Sequence, residues 1–190
     1  MKQEYDPERH NRRSIRLRGY DYTQGGAYFV TLCTHNRACL FGEVVDGVAR
    51  LNPLGACVEA EWLRTETVRP HVALDAFVVM PNHFHAIIVL SDAPPHDAIE
   101  IPQANRHPVP TSTASGSVGA IVQQFKSVTS KRIKALRNAP GAPVWQRGYY
   151  DRIIRDDKML NAIRQYIMDN PARWEEDPEH PKQWEKANRA

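Results

Sequence analysis

The stretch VVMPNHFHAIIVL (78–90) holds two apolar runs about Pro81-Asn82, and two imidazoles, His83 and His85, interrupt the second run. Its β-branched and aromatic residues mark two strands, 72–80 and 83–90. The link between them is so short that they must pair antiparallel. Side chains alternate across a strand, so His83 and His85 leave one face while Phe84, Ala86, Ile88 and Leu90 leave the other. One strand thus feeds a core and presents two imidazoles about 7 Å apart along the chain. Rings at that spacing can converge on one divalent ion, and neutral imidazole is the commonest side-chain metal ligand near neutral pH. A lone H-x-H is a weak signal, and the bland reading is two half-exposed histidines on an edge or groove face.

Working outward, AYFVTLCTH (27–35) is a strand, and FGEVVDGVARL (41–51) is a hairpin about Asp46-Gly47. Asn52 caps a helix with Pro53 at its first position, and Leu54, Val58, Trp62 and Leu63 keep helical spacing. A long amphipathic helix covers 117–137, with Val118, Ile121, Val122, Phe125, Val128, Ile133 and Leu136 in one stripe. VWQRGYYDRIIR (144–155) is a loop entering a strand. Asp156 and Asp157 open a final helix that stops near Asn170, before Pro171. The order of elements predicts an α+β domain, an antiparallel sheet with helices packed on one side, in the ferredoxin-like or RRM-like style. Residues 1–24 read as a basic arm, 25–171 as the domain, 91–115 as a flexible Pro-, Ser- and Thr-rich loop within it, and 172–190 as a polar tail.

The chain has 190 residues, is 42% hydrophobic and carries a net charge of only +3. That suits one domain with a real core. The charge is unevenly placed. From Ser115 to Arg155, Lys126, Lys131, Arg132, Lys134, Arg137, Arg147, Arg152 and Arg155 face one acid, Asp151. The arm adds Arg12, Arg13, Arg16 and Arg18, while Glu175, Glu176, Asp177, Glu179 and Glu185 make the end acidic. This asymmetry fits a polyanionic partner, or simply solvated helix faces. Cys33, Cys39 and Cys57 show no CxxC spacing, so neither a disulfide framework nor a zinc knuckle is expected. No apolar leader or membrane-length run is present, so a cytoplasmic protein without membrane association is expected.

The last helix supplies chemistry in RQYIMDNP (164–171). Tyr166 and Asn170 are four residues apart and share a helix face. An Asn amide oxygen is a hard ligand suited to Mg²⁺ or Mn²⁺, and the phenol hangs one turn away. The bland alternatives are an ordinary Asn-Pro helix stop and a packed tyrosine. Tyr149 and Tyr150 compete as nucleophiles, but no ligand shares their spacing.

An H-x-H strand followed much later by Y-x-x-x-N before Pro resembles the single-tyrosine HUH transposases, and most closely the REP-associated tyrosine transposases. The blocks GAYFVTLCTHNRACLFGEV, FVVMPNHFHAIIVL, VWQRGYYDRIIRD and RQYIMDNP occur in that family's order, and the resemblance spans roughly residues 12–171. It implies an HUH fold in which His83, His85 and Asn170 hold a divalent metal, Mg²⁺ or Mn²⁺, and Tyr166 is the nucleophile. Many relatives carry Gln at the Asn170 position. Arg12, Arg13, Arg16, Arg18, Lys126, Lys131, Arg147, Tyr149 and Arg152 would contact DNA.

The implied activity is cleavage and rejoining of single-stranded hairpin DNA through a 5′-phosphotyrosine intermediate, by a monomer or a homodimer. Basic residues would grip phosphates, and Tyr28, Phe29, Trp145, Tyr149 or Tyr150 would stack bases unless they pack in the core. The alternatives are a catalytically idle hairpin-DNA binder and a metal-dependent nuclease that uses water.

Overall fold

The computed structural model describes residues 20–91 and 114–189. Arg12, Arg13, Arg16 and Arg18, and residues 92–113 of the expected loop, lie outside the described residues. The strands are β1 (Gly26–Cys33), β2 (Gly42–Val45), β3 (Val48–Leu51), β4 (Val72–Val79), β5 (His83–Leu90) and β6 (Tyr150–Ile154). The helices are α1 (Pro53–Thr67), α2 (Val118–Leu136), α3 (Asp157–Asp169) and α4 (Pro181–Arg189). Four strands form one antiparallel sheet in the order β4-β5-β1-β6, and β2 and β3 form a separate hairpin. Set aside that hairpin, and β1-α1-β4-β5-α2-β6 is the ferredoxin-like arrangement expected. No helix among the described residues is long and apolar enough to cross a membrane.

Local chemistry sets the element boundaries. The Asn52 carboxamide accepts from the backbone N–H groups of Leu54 and Gly55 at 2.9 and 3.1 Å and starts α1. Asp46 and Gly47 both adopt positive φ, as a two-residue hairpin turn demands. Asp156 caps α3 through the Met159 N–H at 2.7 Å. Met80 N–H donates to the His83 carbonyl at 2.9 Å, so Pro81 and Asn82 form a tight β4-β5 turn.

The alternation expected for β5 holds. Phe84, Ala86, Ile88 and Leu90 join Tyr28, Val30 and Leu32 of β1 against Val58 and Trp62 of α1 and Ile121, Val122 and Phe125 of α2. Trp62, Phe84 and Phe125 meet with ring centroids 4.9 to 5.5 Å apart. Burial of such rings is the main source of stability here. Leu136, expected in the buried stripe of α2, is instead 59% exposed at the last residue of the helix. Thr129 takes a buried place on that helix by donating to the Phe125 carbonyl at 2.7 Å and accepting the Trp145 indole N–H at 2.9 Å.

The opposite face of the sheet carries a smaller cluster, in which Phe29, Ile87 and Ile154 pack under Ile163 and Ile167 of α3. Arg164 of α3 forms a two-pronged ion pair with Asp75 at 2.8 and 2.6 Å. Asp75 sits where the β4-β5 register shifts between Leu74 and Phe77, so the irregularity aims a carboxylate at the helix. The polar tail expected at 172–190 is a correction. Residues Trp174–Glu176 form a 3₁₀ turn, α4 follows, and α3 is therefore not the last helix. Asp177 and His180 are buried, because this segment folds back over the face of the sheet that carries the histidines.

Gly55 lies where α1 crosses the 41–42 backbone, and a Cβ there would overlap the Phe41 carbonyl oxygen. Gly55→Ala should therefore lower the urea midpoint, although alanine is the better helix former by roughly 1 kcal/mol. The Arg164 partner holds the Asp75 carboxyl below its ordinary value of 3.8. Its contribution is then full above that value and is lost as pH falls through the lower folded value. Asp75→Asn should lower the melting temperature near neutral pH, and its deficit against the parent should shrink as the scans move below about pH 4.

Candidate metal centre and nucleophile

β5 places both imidazoles on the face away from α1 and α2, opposite Cys33 and Thr31 of β1. Both rings are buried, their centroids 4.5 Å apart. Trp174 lies over His83 at 5.9 Å, and Phe29 stacks on His85 at 5.3 Å. Burial pushes the His83 pKa down to about 4, with Arg37 adding to the fall and Asp177 opposing it. Burial and the neighbouring His83 ring push His85 well below its ordinary value. Both imidazoles are neutral at neutral pH, the form that ligates a metal.

The hydrogen bonds around His83 determine which nitrogen carries its proton. The Asn82 amide nitrogen donates to the carbonyls of Arg37 and Glu179 at 3.1 and 2.7 Å. Its oxygen therefore faces His83 Nδ1, 2.9 Å away, and Nδ1 must be the donor. Nε2 of the neutral ring is left with a lone pair, and it faces Asn170 Oδ1 at 3.2 Å. That oxygen is also an acceptor, because the amide nitrogen of Asn170 donates to Asp177 Oδ2 at 2.7 Å. Two acceptors thus confront each other in a buried site, which is unfavourable without a positive charge between them. Adjacent ligands of an octahedral cation with bonds of about 2.1 Å lie about 3.0 Å apart, so the pair fits a divalent ion.

His85 is oriented similarly, with Nδ1 2.8 Å from Thr31 Oγ1 and Nε2 3.3 Å from Tyr166 Oη. Tyr166 is 41% exposed at the rim, edge-on to Phe29, and burial of its inner side pushes its pKa up to about 12. Asp177 and Glu179 add to that rise and Arg173 opposes it. A cleft of about 100 Å³ opens beside it, lined by Asn170, Arg173, Asp177 and others. His83, His85, Asn170 and Tyr166 of one chain therefore meet at one place. Among the described residues His83, His85 and Asp177 form a cluster whose ligand atoms all lie within 4.8 Å, able to hold a metal ion.

The other expected residues are spread more widely. Arg152 is paired in register with Phe29, so it shares the face of the histidines and is exposed there. Lys126, Arg147 and Tyr149 line a groove of about 640 Å³ between α2 and residues 143–149, while Lys131 is exposed elsewhere on α2. The Lys126 ammonium donates to the carbonyls of Gln146 and Gly148 at 2.5 and 2.7 Å, and burial pushes its pKa down to about 8. It braces that loop rather than standing free in solvent. Of the aromatics considered for stacking, Tyr28 and Trp145 are core residues and Phe29 supports His85; Tyr150 is 39% exposed on the histidine face.

The sequence reading missed Asp177, Asn82 and Thr31. Asp177 begins the Asp-Pro pair of a stretch read as tail, where the nearby Trp174 was a sign of burial. Asn82 precedes His83 directly but read as a turn residue. Thr31 becomes visible only through the β1-β5 register.

No protein-family model matches the chain. An uncharacterized protein of Haemophilus influenzae (strain Rd) is 40% identical over 178 residues, covering 93% of this chain and 97% of that one. Among solved structures, a REP-associated tyrosine transposase bound to a REP hairpin superimposes with a TM-score of 0.54 at 20% identity, covering 84% of this chain and 74% of that one. The chain thus belongs to one family with the Haemophilus protein, and its fold is that of the REP-associated tyrosine transposase.

Proposed function

We propose that the protein is a metal-dependent single-stranded DNA strand transferase, with Tyr166 as nucleophile and His83, His85 and Asn170 as ligands of a divalent cation. One observation carries the reading. The Tyr166 phenol lies 3.3 Å from Nε2 of one buried neutral imidazole, while Nε2 of the other faces an amide oxygen at 3.2 Å. Such a constellation has a nucleophile beside a cation position, which is what phosphoryl transfer needs. Bound Mg²⁺ or Mn²⁺ would supply charge neutralisation at the scissile phosphate.

The protein's own groups do the rest. Tyr166 Oη forms the bond to phosphorus and the P–O3′ bond breaks. The phenol gives up its proton and the departing 3′ oxygen gains one, leaving a 5′-phosphotyrosine and a 3′-hydroxyl. The linkage keeps an ester bond, so a second 3′-hydroxyl can reverse the step without ATP. Thr31 and Asn82 hold the imidazole Nδ1 atoms and aim both Nε2 atoms inward. Trp174 and Phe29 exclude water around the rings. Arg152 and Tyr150 stand on the same face, where they would meet a phosphate and an unstacked base. Arg147, Lys131 and the basic arm would extend that contact. A hairpin is the proposed substrate because the solved relative is bound to one.

The test is a labelled single-stranded hairpin incubated with the protein and Mn²⁺, resolved on a denaturing gel. A protein–DNA adduct is expected, lost with EDTA and restored by Mn²⁺. Tyr166→Phe should abolish the adduct and reduce cleavage by at least about 10³-fold, with hairpin affinity within about threefold of the parent. Cleavage undiminished in Tyr166→Phe would sink the tyrosine mechanism in favour of water. Tight hairpin binding with no adduct or cleavage by the parent protein would make it a binder.

A further inference from the structure

The Asn170 carboxamide has two ends of nearly equal size, and only its oxygen can ligate a cation. If the amide turned over, its NH₂ would donate to the lone pair of His83 Nε2, an ordinary hydrogen bond that uses up both groups. The turned state is therefore a real competitor, and something must oppose it. Asp177 sits at the other end of the amide. Its Oδ2 accepts from Asn170 Nδ2 at 2.7 Å, and its Oδ1 accepts from the Glu179 backbone N–H at 2.6 Å. The carboxylate is buried and held at both oxygens, so it cannot follow a flip. A carboxylate also cannot donate, so the turned amide would set two acceptors against each other.

We propose that Asp177 is a positioning residue that keeps the oxygen of Asn170 turned toward the histidine pair and so preforms the cation site. The inference rests on the reading of that site as a cation centre. Asp177 Oδ2 also lies 3.9 Å from His83 Nε2, so a direct ligand role is the competing account, and substitution separates the two. Asn at position 177 has one oxygen where the carboxylate has two, so it cannot serve both the Asn170 NH₂ and the Glu179 N–H, and the acceptor must instead be removed outright. Ala or Ser removes that acceptor, and Ser still caps the Glu179 N–H and preserves the turn.

Mn²⁺ affinity of the full chain, read by calorimetry and by electron paramagnetic resonance of free Mn²⁺, is the measurement. Asp177→Ala and Asp177→Ser should bind at least about tenfold more weakly than the parent, the usual scale for losing an outer partner of a ligand. Combined with Asn170→Ala, Asp177→Ser should add less than about twofold, because the two residues act as a unit. A further loss of about tenfold or more on adding Asp177→Ser to Asn170→Ala would overturn the proposal and make the carboxylate a ligand. Parent-like affinity in Asp177→Ser would overturn it also, and this variant decides the matter if Asp177→Ala fails to fold. If the parent chain itself binds no Mn²⁺, the cation-centre reading fails first, which the parent titration alone reveals.

Discussion

Two lone pairs point at each other in the buried middle of this protein, one on His83 Nε2 and one on Asn170 Oδ1, 3.2 Å apart. Neither can turn away. Asn82 holds the imidazole proton on the far nitrogen, and Asp177 holds the amide protons on the far side. Each of these partners is itself fixed, Asn82 by the carbonyls of Arg37 and Glu179, and Asp177 by the Glu179 N–H. Desolvation prevents the simplest relief, a proton on Nε2, because a buried imidazolium is costly. The network is satisfied at its edges and frustrated at its centre, an arrangement that a cation between the two acceptors would relieve.

The rest of the structure brings three distant segments to that centre. β5 sits between β4 and β1, so its imidazoles are screened from water on both sides. α3 is anchored by the apolar contacts of Ile163 and Ile167 and by the Asp75–Arg164 pair, which sets where Tyr166 and Asn170 hang. The segment after α3 is held by the half-buried Arg37–Glu179 ion pair and by Trp174 packed on His83 and His180. An isolated buried ion pair adds little net stability over apolar packing, but losing one partner leaves a costly charge. Here the pair fixes the Glu179 backbone against the 37–38 turn, and so fixes Asn82 and Asp177 together.

Much of this was legible in the residues because local rules govern it. The period-2 pattern of 83–90 fixed which side chains share a face, and the Asn52-Pro53, Asp46-Gly47 and Asp156 signals marked boundaries correctly. Tyr166 and Asn170 share a helix face by spacing alone. What the chain order hides is contact between segments far apart. Thr31 reaches His85 across 54 positions and Asn82 reaches Glu179 across 97. The 172–190 segment misled for a specific reason. Its composition is that of a solvated tail, while the contacts that hold it on the sheet come from scattered groups, among them Trp174, Asp177, Glu179 and His180, that make no periodic pattern.

The resting state of Tyr166 bears on which nucleophile the site is built for. Its phenol is hard to ionise, with burial and the charges of Asp177 and Glu179 all opposing the phenolate. Among the described residues Arg173 is the basic group that favours the phenolate, so the described lysines and arginines do little to activate it. This does not argue for water. The Tyr166 hydroxyl already occupies the position beside His85 Nε2 that an attacking water would need, and α3 holds it there through the packing of Ile163 and Ile167 on a cluster whose Phe29 also stacks on His85. A phenol kept neutral until a cation and a phosphate arrive would not react with stray electrophiles. The acidic groups that suppress ionisation of the phenol are the same ones that would favour a cation beside it, so in the proposed mechanism activation of Tyr166 would be linked to occupancy of the metal position through Asp177.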